Sequence, residues 1–114
     1  MKVKDIYFPN EPNLTFDGEK QIKIDNVLSQ INKIDKIRRF RIWECEYTKN
    51  PLISCVYHTG TNGAEGSIKN SLIEVYDVLN QMEKWENVNH VDVADVSIDR
   101  PDDLYDFAIT LEIK

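Results

Sequence analysis

The chain has 114 residues, 41% of them hydrophobic and 30% charged, with a formal net charge of −6. That is the length of one domain, enough to bury a core without disulfide or metal staples. The negative balance argues against nucleic-acid binding, which needs a positive surface, and no apolar run is long enough to span a bilayer.

Met1 to Phe8 is too short and too mixed for a signal peptide, so the chain at face value is cytoplasmic. Residues 1–18 read as an extended arm with turns at Pro9 and Pro12. Val3, Ile6, Tyr7 and Phe8 are apolar enough to dock on the body. Residues 19–114 read as a single α+β domain.

Asp17 and Gly18 precede the first helical pattern, in which Ile24, Val27, Leu28, Ile31 and Ile34 form an apolar stripe. Lys33, Lys36, Arg38, Arg39 and Arg41 cluster at its end. They complement a helix C-terminus and solvate the next strand. A dock for an acidic lipid or partner is the alternative, and the chain's own acidity counts against it.

A hairpin follows. Trp43, Cys45 and Tyr47 share one parity, and Ile53, Cys55 and Tyr57 another. With Lys49, Asn50 and Pro51 as the loop, Tyr47 faces Ile53, Cys45 faces Cys55 and Trp43 faces Tyr57, an apolar ladder. Cys45 and Cys55 are then a candidate disulfide in an oxidising compartment, or two small buried thiols. The other hairpin face carries Phe40, Ile42, Leu52 and Val56 among Glu44, Glu46, Ser54 and His58. Four apolar residues on an outward face make a candidate partner surface.

Thr59 to Gly66 holds Gly60, Gly63 and Gly66. It lacks the Lys-Ser/Thr ending of a phosphate loop, and Glu65 would repel an anion, so it is a connector. The second helix begins at Ser67 or Ser71. Ile68, Leu72, Val75, Tyr76, Leu79, Met82 and Trp85 line one face, and turn chemistry at Asn87 and Asn89 ends it.

His90 to Ile98 reads as a strand whose alternation slips, placing a bulge near Ala94. Asp99 to Asp103 is a polar turn. Tyr105, Phe107, Ile109, Leu111 and Ile113 then alternate strictly with polar or small residues, the mark of a half-buried strand.

No pattern carries chemistry. There is no CxxC spacing, and His58 and His90 lie in separate strands with no motif partner. The aspartates from Asp92 to Asp103 lack the central Gly and terminal Glu of a calcium loop. They suit an acidic sheet edge that discourages aggregation. No cofactor, metal or catalytic role is expected.

Two helices on one face of a four-stranded, mostly antiparallel sheet is the natural packing, in the order α-β-β-α-β-β. That is an α+β, ferredoxin-like domain with its strand order permuted. The parts are the Ile-rich helix, a hairpin ending Val56-Tyr57-His58-Thr59-Gly60 and a helix ending Leu79-Asn80-Gln81-Met82-Glu83. Val91-Asp92-Val93, Val96-Ser97-Ile98 and Tyr105-Asp106-Phe107-Ala108-Ile109-Thr110-Leu111 follow. From Pro9 to Lys114 this resembles the extracytoplasmic domain of the type IV pilus inner-membrane alignment proteins, the PilO/PilN family, and related type II secretion components. The family's membrane helix and preceding coiled coil are not in this chain, which under the resemblance is a soluble piece held outside the inner membrane. The resemblance implies a non-enzymatic scaffold that pairs with itself, as a homodimer, or with a sister subunit, through Phe40, Ile42, Leu52 and Val56. A second function fits the −6 charge: a small acidic inhibitor, such as a toxin-immunity or phage anti-defence protein, covering a basic surface.

Overall fold

The computed structural model describes residues 5–6, 16–62, 68–95 and 104–114. The elements run β1 (Asp5–Ile6), α1 (Gly18–Ile31), β2 (Ile37–Glu44), β3 (Pro51–Asn62), α2 (Ile68–Glu83), β4 (Val88–Asp95) and β5 (Leu104–Ile113). The fold is α+β. The four long strands form an antiparallel sheet in the order β2-β3-β5-β4. The arm adds β1 in parallel beside β2, with Asp5 opposite Arg39 and Ile6 opposite Phe40. The arm's other apolar residues, Val3, Tyr7 and Phe8, lie outside the described residues.

One core lies between the sheet and both helices. Ile24, Val27, Leu28 and Ile31 enter it from α1, and Val75, Val78, Leu79 and Met82 from α2. The sheet supplies Phe40 and Ile42 from β2, Ile53, Cys55 and Tyr57 from β3, and Phe107, Ile109, Leu111 and Ile113 from β5. Because every one of these strand residues shares a face, both helices sit on the same side.

Each helix follows its stripe, with local departures. In α1 the stripe stops at Ile31; Ile34 follows the helix and packs half-buried. Gly18, the first helical residue, has φ +60°, a left-handed value that suits glycine. Lys33 and Lys36 fall past the last turn of α1, which itself holds no basic residue; Lys36 pairs with Glu74 of α2. In α2, Val78 takes the core place expected of Tyr76, which is 53% exposed. A stripe through positions 75, 78, 79 and 82 is centred so that position 76 falls on the flank. The helix begins at Ile68, one residue after Ser67, a cap that lies outside the described residues. It ends at Glu83, before the Asn87 turn, whose φ of 75° redirects the chain.

The hairpin differs most from the sequence reading. Trp43 faces Leu52, Ile42 faces Ile53, and Phe40 faces Cys55. The turn is Cys45–Asn50, closed by the Cys45 amide on the Asn50 carbonyl (2.9 Å) and the Lys49 amide on the Cys45 carbonyl (2.9 Å). Pro51 is not in the loop; it opens β3, where an amide donor is not needed. A turn of this length shifts the pairing by an odd number of residues and turns β2 over. Cys45 therefore does not face Cys55, and the two are not bridged. Cys45 lies beyond the ladder, whose last pair is Glu44 with Pro51, while Cys55 sits four residues up β3. That is roughly 13 Å along a strand, beyond the ~7 Å that a disulfide spans.

Two bulges keep odd-numbered and even-numbered apolar residues in one core. A shift between Ile37 and Arg39 leaves Ile37 inside, opposite Tyr57. A shift between Val88 and His90 does the same for Val88. The bulge in β4 is there and not near Ala94; the register runs unbroken from His90 to Asp95. Val96 to Ile98 and the Asp99 to Asp103 turn lie outside the described residues, as does the connector from Gly63 to Ser67.

Tyr57 ties sheet to helix. Burial, then the charge of Glu74 and the hydrogen bond to it, push its hydroxyl up to about 12 from 10.0. Glu74 thus joins the Tyr57 hydroxyl on β3 to Lys36 before β2.

Candidate interaction surface

The side of the sheet away from the helices is built by the alternate residues of the same strands. β2 contributes Arg41 and Trp43, β3 Leu52, Ser54 and Val56, and β5 Ala108, Thr110 and Glu112. β4 adds His90, Asp92 and Ala94. Among the described residues no helix crosses this face.

Its centre is fixed by a hydrogen-bonded strip running across three strands. The Trp43 indole donates from Nε1 to Ser54 Oγ at 3.0 Å, and Ser54 Oγ and Thr110 Oγ1 share a hydrogen bond at 3.0 Å. The Arg41 guanidinium lies 4.9 Å from the Trp43 ring centroid, within cation–π range. The strip thus holds the indole edge and leaves apolar area from Trp43 and Leu52 beside it.

One end of the face is organised by Glu112. Its Oε2 accepts from Thr48 Oγ1 at 2.7 Å and Asn50 Nδ2 at 3.0 Å, and its Oε1 from Asn89 Nδ2 at 3.4 Å. The Thr48 and Asn50 bonds, with Asn89 adding less, hold the Glu112 carboxyl below its usual range. The hairpin turn and the start of β4 are thereby pinned to the central strand β5. Thr48 also hydrogen-bonds the half-buried Cys45 thiol and draws it below its ordinary value.

This clamp gives an acid prediction. Glu112 is ionised and bonded in the folded state, so its contribution is present at neutral pH and is lost as pH falls through its lowered folded value. Glu112→Ala is expected to speed hydrogen exchange at the Cys45 and Lys49 amides while the helices stay protected, and to remove that acid-dependent step. Unchanged exchange in the turn would show that Glu112 does not hold it.

The four residues expected to form one partner surface do not share a face. Phe40 and Ile42 are in the core, 4% and 8% exposed, because the register turns them toward the helices. Leu52 and Val56 do lie on the helix-free side, with Val56 buried by its neighbours. Trp43 and Arg41 take the places that were expected for Phe40 and Ile42. Thr110, Ala108 and Glu112 were legible as water-facing from the β5 alternation; their link to Ser54 and Trp43 needed the register.

His58 and His90 are not brought together. His58 is opposite Asp106 and His90 opposite Glu112 on β5. Six residues of strand separate those partners, about 20 Å. His90 Nε2 lies 3.0 Å from Asp92 Oδ1 on an exposed stretch. Among the described residues no three His, Cys, Asp or Glu side chains gather as metal ligands, and no helix is long and apolar enough to cross a membrane. No family model, no curated protein and no solved structure matches the chain.

Proposed function

We propose that this is a non-enzymatic interaction domain that pairs with itself or with a sister subunit, and that the helix-free sheet face is its main contact. The observation that carries the reading is the one-sided packing of both helices. It leaves a sheet face that carries an Arg–Trp pair, a short hydroxyl network and the half-buried Leu52. Arg and Trp anchors beside aliphatic area are the composition of interface hot spots.

The strand order β2-β3-β5-β4, antiparallel throughout, with α2 linking β3 to β4 across β5, supports a ferredoxin-like domain permuted by one strand. Together with the motifs from the first helix to Leu111, this favours a brace in a pilus or secretion assembly, on the extracytoplasmic face of an inner membrane. The −6 charge favours a second reading, a small acidic inhibitor of a basic partner.

Sedimentation and pull-down with a sister subunit test the first reading. Leu52→Glu is expected to weaken association at least tenfold, because a charge is placed among desolvated apolar groups. A wild type that stays monomeric at high concentration and binds no sister subunit would sink it. Binding to a basic partner that collapses with salt would favour the inhibitor.

A further inference from the structure

β4 ends the sheet, and among the described residues nothing pairs with its outer edge. Unpaired amides and carbonyls along an edge are a template for another strand. We propose that this edge pairs with β4 of a second copy, antiparallel about a two-fold axis at Val91, so that one sheet runs through two chains. This rests on the reading above and extends it: the helix-free face remains the main contact, and the β4 edge at its border is a second contact, through which two copies pair.

The choice of occupant comes from charge complementarity. His90 and Asp92 are 62% and 72% exposed and alternate along one side of β4. A two-fold axis that relates antiparallel strands stands perpendicular to the sheet, so each side of one copy meets the same side of the other. The pairing then centres on one residue, and the sequence of the strand discriminates among the centres. Centred on Asp92, the two copies set Asp92 against Asp92, a like-charge contact. Centred on His90, Asp92 meets Val88; centred on Val93, Val91 meets Asp95. Centred on Val91, His90 of each copy faces Asp92 of the other, twice by symmetry, and Val91 meets Val91 on the core side. Val91 and Val93 are only partly buried at that margin of the core, so the second copy covers apolar surface that one chain leaves open.

The −6 charge of each copy repels the other at long range, and physiological salt screens that repulsion beyond about 8 Å. The contact pairs lie well inside that distance.

Register-specific crosslinking tests the proposal in the full chain, with Cys45→Ser to remove a half-buried thiol. Val91→Cys is expected to oxidise to a covalent dimer, since residues directly opposite in an antiparallel pair lie about 4.5–5.5 Å apart. Val93→Cys is not, because its two copies would be four residues apart along the ladder, roughly 13 Å. Charge variants give a second, solution measurement that does not depend on imidazole protonation. His90→Asp, and separately the pair His90→Lys with Asp92→Lys, should each weaken self-association about fivefold, and mixing the two proteins should restore it as a heterodimer. Absence of the Val91→Cys crosslink, equal crosslinking at Val93→Cys, or no recovery on mixing would overturn the edge assignment. Association that is lost in Leu52→Glu yet indifferent to every β4 variant would overturn it while leaving the interaction-domain reading in place.

Discussion

Ile42→Glu is expected to unfold the domain, and Leu52→Glu to leave it folded. The two positions are neighbours: Ile42 faces Ile53, and Leu52 precedes it on β3. They point to opposite sides of the sheet. Ile42 is 8% exposed within the core, whereas Leu52 is half-buried on the helix-free side. A carboxylate at Ile42 would meet Phe40, Ile53 and the helices with no partner for its charge. Several kcal/mol is the usual cost of such a group, against a total stability of about 5–15 kcal/mol for a domain of this size. Leu52→Glu exposes its carboxylate to water and should cost no more than about 1–2 kcal/mol. Far-UV circular dichroism and urea titration of both variants decide the matter. The reverse ranking would mean that β2 is turned over, with Trp43 inside.

Phe107→Ala is expected to cost about 3–5 kcal/mol, the range for removing a buried aromatic ring. Phe107 is 2% exposed and lies in β5, which is flanked on both sides, with Tyr57 opposite on β3 and Asp95 opposite on β4. A central strand has little room to collapse into the space left behind, so the upper half of the range is expected. The urea midpoint should fall with the slope of the transition unchanged, since the folded surface is altered only locally. A loss under about 1 kcal/mol would place the ring at the margin of the core.

These two results depend on parts of the chain that were unequally legible. β5 could be read directly. Its residues from Phe107 to Ile113 alternate with Ala108, Thr110 and Glu112 without a break, and each falls on the expected side. The α1 stripe was equally plain, because Ile24, Val27, Leu28 and Ile31 have no apolar competitor on the opposite face except Ile22. The β2–β3 hairpin was not. Both parities of β2 are apolar, with Phe40 and Ile42 on one and Trp43 on the other, so local pattern permits either face. Loop length broke the tie, and the Cys45–Asn50 turn is stabilised by contacts that no local pattern contains. Thr48 and Asn50 reach Glu112, which stands more than sixty residues away in the chain.

The order of the elements from α1 to β5, the α+β class and the inward sides of α1 and β5 follow from residue spacing alone, because helical and strand periods are properties of a dozen consecutive residues; the pairing of β1 does not. The side that β2 presents, the make-up of the helix-free face and the place of β4 at the end of the strand order do not follow from it. They are set where β3 and β5 pair and where Glu112 gathers Thr48, Asn50 and Asn89. A strand with apolar residues on both sides takes its orientation from the sheet it joins, and that sheet exists only once segments distant in the chain have met.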